Sequence, residues 1–256
     1  MLRQVSDDLF VVGECVQGEH GHEAVRVYVL KNDDRPIIID TGSHLHQTKI
    51  MDGLDEILDG AEPEAVFLTH TELPHSGNVR TIATRWPNAK PTVADSIIPY
   101  IELAPVVEQE RITLAPMASV ANFAGRTLEF VHAPLKDQPA SQWIFDFRTH
   151  TLFTADAFGY YHKPGRCDLF ADEMEEGIRK EDFLDYHRIA FRYLRWVLPK
   201  PLNEALDTVF LRDVSIIAPV HGNPIRTNVR GHLKRLQDAM TQICTESRGS
   251  PLQVKS

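Results

Sequence analysis

The pattern of apolar and polar residues near the start of the chain predicts three strands followed by a helix. Residues 9–12, 25–30 and 37–40 are short apolar runs rich in β-branched and aromatic side chains, which is typical of strands. The polar residues 31–34 separate the last two runs and predict a hairpin turn. Residues 47–58 carry apolar side chains at helical spacing, so we predict an amphipathic helix there.

The chain continues with a predicted strand at residues 65–69, which ends in a polar cluster. Ser76 stands where it can cap the next helix, because its hydroxyl can accept a hydrogen bond from a backbone N–H of the first turn. A short helix is predicted over residues 95–103.

The second half of the chain repeats this order of strands and then helices. Further strands are predicted at residues 112–114, 128–131, 143–145, 151–154 and 215–220. The pattern is helical over residues 172–197, where Pro199 and Pro201 interrupt it, and a closing amphipathic helix is predicted over 227–244. This order predicts an α/β protein in which two packed sheets are covered by helices, an αββα sandwich. We expect residues 1–256 to form a single domain.

Composition narrows the classes of partner. The 256 residues are 43% hydrophobic, with a formal net charge of −9 and a pI of about 5.7, which disfavours nucleic-acid binding. No apolar stretch approaches the roughly 20 residues that cross a bilayer, and the first residues lack the apolar core of a secretory signal. Cys15, Cys167 and Cys244 are far apart in sequence, which predicts neither disulfides nor a thiolate zinc site. We therefore expect a cytoplasmic protein.

The strongest chemical signal is the sequence LTHTELPHSGN at residues 68–78. An apolar strand ends here in His70, Glu72 and His75, so imidazole and carboxylate donors are concentrated at a rigid sheet edge. This arrangement is typical of a metal site.

Three later strand ends also carry polar residues. Asp137 lies in a proline-containing loop after one predicted strand, Asp156 follows another, and His221 follows the last. Each alone is an ordinary loop residue, but together they fit one site above the sheet edges.

These motifs carry a resemblance to a known family. His-x-Glu-x-x-His, the sequence LFTADAFG at residues 152–159 and the sequence IIAPVHG at residues 216–222 resemble the metallo-β-lactamase fold, over about residues 8–235. More narrowly, they resemble the diiron domain of flavodiiron proteins, because hydrolases of this fold usually have a second histidine where Glu72 stands.

The resemblance implies a pair of iron ions bridged by one aspartate. It implies His70, Glu72 and Asp156 at one iron, and His75, Asp156 and His221 at the other. Two positions depart from the family pattern. Pro74 replaces an aspartate ligand, and Asp137 aligns with a histidine ligand of the first iron, although a shift by one residue places Lys136 there instead.

Two pairs of further histidines lie in loops near the expected site. His20 and His22 precede a predicted strand, while His44 and His46 follow the end of the predicted strand at residues 37–40. Either pair is placed to supply a missing ligand or to lie at the surface, and the sequence leaves both roles open.

The carboxylate-rich set favours iron or manganese over zinc. The resemblance implies two iron ions, with manganese or zinc as the less expected metals. We expect no bound flavin, because the sequence shows no phosphate loop of the flavodoxin type, so electrons would come from a separate reductase. The function that this favours is a monooxygenase that uses O2 to hydroxylate a small organic substrate, similar to stand-alone diiron monooxygenases of natural-product biosynthesis. The alternatives are a diiron O2 or NO sensor or partnered reductase, a metal-dependent hydrolase or thioesterase, and a degenerate site. The sequence leaves open whether the protein forms a homodimer.

Overall fold

The computed structural model describes residues 1–32, 35–123 and 125–246. The strands in these ranges are β1 (Leu2–Ser6), β2 (Leu9–Gly18), β3 (Gly21–Leu30), β4 (Ile37–Ile39), β5 (Ala65–Phe67), β6 (Lys90–Ala94), β7 (Thr113–Ala115), β8 (Val120–Phe123), β9 (Arg126–His132), β10 (Gln142–Asp146), β11 (Thr151–Phe153), β12 (Tyr161–His162) and β13 (Ile216–Ala218). The α-helices are α1 (Gln47–Leu58), α2 (Leu73–Ser76), α3 (Val79–Arg85), α4 (Ile97–Leu103), α5 (Lys180–Ala190), α6 (Pro199–Val209) and α7 (Val229–Glu246). None of these helices has the length and apolar character needed to cross a membrane.

The strands form two sheets. The larger sheet has the order β1-β2-β3-β4-β5-β6-β7, with β12 paired to β3 beside this path. Its pairs are antiparallel from β1 to β4 and parallel from β4 to β7. The smaller sheet has the order β13-β11-β10-β9-β8, in which only β11 and β13 are parallel among the described strands. Parallel strands end at the same sheet edge, which is where the candidate site lies.

The molecule has four layers. The two sheets face each other through aromatic side chains, with Phe67 and Phe130 at 5.4 Å and Tyr28 and Phe153 at 5.5 Å between ring centroids. Helices α1 and α3 cover the outer face of the larger sheet, and α5, α6 and α7 cover the outer face of the smaller one. The predicted αββα sandwich is confirmed.

Several local predictions need correction. Ser76 is the last residue of α2 and donates its hydroxyl to the Thr71 carbonyl, so it does not cap a helix; Asn78 precedes α3 instead. The predicted helix over residues 172–197 is divided, with α5 flanked by short 3₁₀ turns. Pro199 does not interrupt a helix but begins α6, where a missing N–H costs nothing. Of the predicted turn 31–34, residues 33 and 34 lie outside the described ranges.

A buried ion pair within the smaller sheet also contacts the end of a strand of the larger sheet. The Arg126 guanidinium on β9 donates from Nε and Nη2 to the two oxygens of Asp146 on β10, both at 2.8 Å, and from Nη1 to the Lys31 carbonyl beyond β3 at 2.7 Å. Burial raises the pKa of the Asp146 carboxyl, but hydrogen bonds from Arg126 and Thr149 outweigh it and hold that pKa below its usual value.

We predict that Asp146→Asn lowers the free energy of unfolding by about 3–5 kcal/mol, because it removes the hydrogen-bonded carboxylate from the buried Arg126 guanidinium and leaves only the longer contact with Asp8 at 3.8 Å. The loss should be measured by urea denaturation against Asp213→Asn, which changes a side chain that is 88% exposed and should cost less than about 0.5 kcal/mol. The Asp146 pKa is lower in the folded protein than its unfolded value of about 3.9, so the ionised carboxylate stabilises the fold above that pH. The difference in free energy of unfolding between wild type and Asp146→Asn should therefore shrink as the pH falls through the folded pKa. Equal stability of the two Asp→Asn variants at neutral pH would contradict this role.

Candidate metal centre

The fold brings the predicted site residues to one edge of the two sheets. His70 follows β5, Glu72 precedes α2, His75 lies in α2, Asp137 lies between β9 and β10, Asp156 follows β11, and His221 follows β13. The side chains form two groups of possible metal ligands, and within each group the donor atoms all lie within 4.8 Å of one another. The first group is His70, His75 and Asp156, and the second is His70, Glu72, Asp137 and Asp156. His221 reaches the same carboxylate from the opposite side.

The Asp156 carboxylate is the centre of the cluster. Its Oδ1 lies 2.8 Å from His75 Nε2, 3.3 Å from His70 Nε2 and 3.4 Å from His221 Nε2. Asp156 and all three imidazoles are buried. Burial raises the pKa of Asp156, but the three histidines outweigh it and hold that pKa well below its usual value.

A second carboxylate lies beside the first. Asp137 Oδ2 is 3.4 Å from His70 Nε2, and its Oδ1 accepts a hydrogen bond from the Ser141 hydroxyl at 3.0 Å. Burial and the adjacent Asp156 charge raise the pKa of Asp137. Of the two alternatives at this turn, the Asp137 side chain therefore faces the cluster, whereas the Lys136 backbone N–H donates to the Tyr193 hydroxyl.

His75 is oriented by groups on its outer side. Its Nδ1 lies 2.9 Å from Thr69 Oγ1, which in turn donates to Asp40 Oδ2 at 2.8 Å. Asp40 Oδ2 is also 3.3 Å from His75 Nδ1. These acceptors keep a proton on Nδ1 and direct Nε2 toward Asp156, where a bound cation would replace the Nε2 proton.

His221 is oriented in the same way. Its Nδ1 faces Glu23 Oε1 at 2.8 Å and the Ala24 carbonyl at 3.1 Å, both from β3. Two acceptors at Nδ1 leave Nε2 free to accept, or to bind a cation, on the side of Asp156. Glu23 was not predicted from the sequence, because a glutamate on a strand near a hairpin turn is ordinary.

His70 is arranged differently. Its Nδ1 accepts the Glu72 backbone N–H at 3.1 Å, so the neutral ring carries its proton on Nε2, toward Asp137 and Asp156. Glu72 itself is exposed. His75 and His221 thus have carboxylates against Nδ1, whereas His70 has a backbone N–H there and the neighbouring Glu72 side chain is exposed.

A cavity of about 400 Å³ opens over the cluster. Its lining joins the acidic and imidazole groups to two tyrosines, and consists of Glu23, Glu72, Pro74, Asp137, Gln138, Asp156, Tyr161, Tyr186, Ala190 and His221. The ring of Tyr186 stacks on His221 with a centroid distance of 6.0 Å. A Cβ at Gly159 would lie 2.5 Å from that ring, so glycine is required there for Tyr186 to reach the cavity.

The other candidate histidines stand apart from this centre. His20, His44 and His46 belong to none of the ligand groups among the described residues. His22 contacts the Cys167 sulfur at 3.3 Å instead of the predicted site.

The chemistry of the donors fits a pair of hard divalent cations. In the cluster two carboxylates lie side by side with three buried imidazoles around them. A cation bound between the carboxylates would stabilise this arrangement, because it offsets the repulsion between their negative charges. It offers nitrogen and oxygen donors, and among the described residues no sulfur donor belongs to it. Pro74 lines the cavity but contributes no ligand atom.

Comparisons with known proteins agree with this geometry. Curated relatives include an anaerobic nitric oxide reductase flavorubredoxin of Vibrio vulnificus, 25% identical over 89% of this chain and 47% of the relative. A type A flavoprotein of Rhodobacter capsulatus is 24% identical over 87% of this chain and 50% of its own length. A coenzyme F420H(2) oxidase of Methanocaldococcus jannaschii is 22% identical, covering 93% and 60%. The chain thus spans about half the length of the first two relatives.

Solved structures show the same fold. The rubredoxin oxygen:oxidoreductase of Desulfovibrio gigas superposes with a TM-score of 0.77 and 16% identity, covering 98% of this chain and 62% of that one. The flavodiiron protein of Giardia intestinalis gives 0.70 and 18%, covering 97% and 60%. The resemblance to the diiron domain of flavodiiron proteins is confirmed. A family model described as ODP family beta lactamase matches residues 24–222, more than half of the chain, and the protein therefore belongs to that family.

Proposed function

We propose that this protein is a nonheme diiron oxidoreductase that reacts with O2 and takes its electrons from a separate donor protein. The observation that carries the proposal is the convergence of three buried imidazoles on Asp156 Oδ1, with Asp137 beside it and a cavity above. The relatives named as reductases and oxidases of NO, O2 or F420H(2) support the oxidoreductase class.

Six residues would hold the metal pair. They divide into His70, Glu72, Asp137 and Asp156 on one side, and His75, Asp156 and His221 on the other. A carboxylate-bridged iron pair supplies the electrons and the binding positions for reaction with O2. Two irons suit this set better than zinc, because oxygen donors are as numerous as nitrogen donors.

The protein groups around this set position ligands and shape the cavity. Asp40 and Glu23 orient His75 and His221 through Nδ1, and they are charged groups that offset the positive charge of the ions. Tyr186 covers His221 and excludes water from that side, while Pro74 replaces a charged ligand with an apolar wall. The cavity is therefore lined by carboxylates and an imidazole next to the cluster, and partly by the aromatic rings of Tyr161 and Tyr186 elsewhere.

The finer proposal is that the cavity receives a small organic substrate, which the protein hydroxylates. A volume of about 400 Å³ above the cluster has room for such a molecule as well as O2. The second candidate is complete reduction of O2 or NO without an organic substrate, which the names of the relatives favour.

We predict that wild-type protein purified from iron-supplemented cells contains about two irons per chain and that Asp156→Ala loses both, because both ions share that carboxylate. Glu72→Ala should lose about one, since Glu72 belongs to the less organised half. Elemental analysis measures both, and Asp213→Ala, an exposed matched change, should keep wild-type iron. Wild-type iron in Asp156→Ala, with circular dichroism showing a native fold, would remove Asp156 from the centre.

Metal affinity should rise with pH. In the metal-free protein, burial lowers the pKa of His75, but Asp40 and Asp156 outweigh it and raise that pKa to about 10. An entering cation must displace this proton, and the displacement becomes easier as the pH approaches that pKa from below. The dissociation constant for Mn²⁺ should therefore fall by up to about tenfold per pH unit between about pH 6 and about pH 9.

Asp40→Asn provides the matched test of this pH effect. It removes one of the two carboxylates that raise the His75 pKa, so the dependence of Mn²⁺ affinity on pH should flatten. Calorimetry in buffers of different ionisation enthalpy measures the released protons. An affinity that does not change with pH in the wild type would contradict the proton displacement.

The reaction with O2 separates the candidate functions. Iron-loaded protein, reduced anaerobically and freed of reductant, should reoxidise rapidly on mixing with O2 in a stopped-flow instrument, and His221→Ala should do so much more slowly. In a separate steady-state assay, an excess chemical reductant supplies the electrons and no organic substrate is added. Two-electron reduction that releases free hydrogen peroxide supports the monooxygenase, whereas consumption of four electrons per O2 to give water supports the reductase. No reaction with O2, together with thioester cleavage by zinc-loaded protein, would replace the oxidoreductase with a hydrolase.

A further inference from the structure

A second group of metal-ligating side chains lies outside the centre described above. Cys15 on β2, His162 on β12 and Cys167 after β12 place their sulfur and nitrogen atoms within 4.8 Å of one another, and His22 on β3 contacts Cys167. We infer that these four residues bind one zinc ion that fixes the β2–β3 hairpin to the segment after Asp156. The separation of the two cysteines in sequence predicted no thiolate zinc site, but the fold brings them together.

Three distances between donor atoms agree with tetrahedral coordination by Cys15, His162 and Cys167, with His22 beside Cys167 as the fourth donor. His162 Nε2 is 3.3 Å from Cys15 Sγ and 3.4 Å from Cys167 Sγ, and His22 Nδ1 is 3.3 Å from Cys167 Sγ. A zinc ion with Zn–S bonds of about 2.3 Å and Zn–N bonds of about 2.0 Å separates neighbouring nitrogen and sulfur ligands by about 3.5 Å. Two thiolates with two imidazoles are the donors that select zinc over harder cations.

Strand geometry places this group on the opposite face of β3 from the diiron centre. His162 is the cross-strand partner of His22, and Tyr161 is the partner of Glu23. Because neighbouring residues of a strand point to opposite faces, His22 and His162 face the cysteines while Glu23 and Tyr161 line the cavity. The two metal sites would therefore share a pair of strands without sharing a ligand.

A buried cationic side chain contacts both cysteines of the proposed site. The Arg26 guanidinium donates to Cys15 Sγ at 3.7 Å and to Asn223 Oδ1 at 2.7 Å, and its Nη2 also donates to the Cys167 carbonyl. Among the described residues Arg26 makes no ion pair with a carboxylate. An N–H donor on a coordinated thiolate is the kind of outer contact that stabilises a zinc site.

The alternative of a reactive thiol pair fits less well. Cys15 and Cys167 form no disulfide in the part of the chain that the structure describes. His162 Nε2 lies against both sulfur atoms, 3.3 Å from Cys15 Sγ and 3.4 Å from Cys167 Sγ, so the two thiols share an imidazole contact that a simple thiol pair does not need. A metal ion uses all three donor atoms at once.

The test uses the full chain and counts zinc separately from iron. Reduced wild-type protein incubated with excess Zn²⁺ and then desalted should keep about one zinc that resists a weak chelator. Cys15→Ala and Cys167→Ala should each lower this retained zinc by about fivefold or more. Cys244→Ala makes the same change at a buried cysteine of α7 and should keep it, and His75→Ala should lose iron but keep this zinc.

Cobalt provides a second readout on the unaltered wild-type chain. Co²⁺ should give thiolate-to-cobalt charge-transfer absorption with the intensity of tetrahedral coordination, and this absorption should be missing in Cys167→Ala but present in His75→Ala. Retained zinc that is unchanged in both Cys15→Ala and Cys167→Ala would overturn the inference. So would reduced wild-type protein that binds neither metal through sulfur, with Cys15 and Cys167 recovered as a disulfide by mass spectrometry. The iron results on His75→Ala test the diiron centre independently.

Discussion

The contact between the buried Asp156 carboxylate and the three imidazoles determines how the rest of the molecule is arranged. One oxygen of Asp156 accepts contacts from His70, His75 and His221, which arrive from both sheets. Removing a carboxylate from water is costly unless positive charge surrounds it. The αββα architecture meets this condition because the ends of β5, β11 and β13 meet at one edge.

The contacts behind the imidazoles give the two halves of the centre different character. Asp40 and Thr69 orient His75, and Glu23 orients His221, so both are ready to bind through Nε2. His70 lacks such support, since its Nδ1 accepts a backbone N–H. The same hairpin that supplies Glu23 also carries Cys15 and His22 on its other face, so the proposed zinc site would hold one wall of the cavity in place.

Much of the fold was predictable from sequence, because apolar periodicity reports burial directly. The helix over residues 47–58 matches α1 in both bounds. The predicted strand ends near Asp156 and His221 correctly located the sheet edge that carries the cluster. Strand β6 was missed because Pro91 interrupts its strand pattern, and α6 because Pro199 signals a stop as readily as a start. The position of Tyr186 against His221 and the proximity of Cys15 to Cys167 both depend on contacts between segments that are far apart in sequence. Residue spacing in a single sequence does not report such contacts.

Anomalous diffraction at the iron edge, on crystals of the iron-loaded protein, tests the central claim most directly. The account predicts two iron peaks, one on each side of the Asp156 carboxylate, with His75 and His221 at one and His70 at the other. It also predicts the higher occupancy at the His75 and His221 position, because those two rings are already oriented. A single peak away from Asp156, or zinc in place of iron at both positions, would contradict the proposed diiron oxidoreductase.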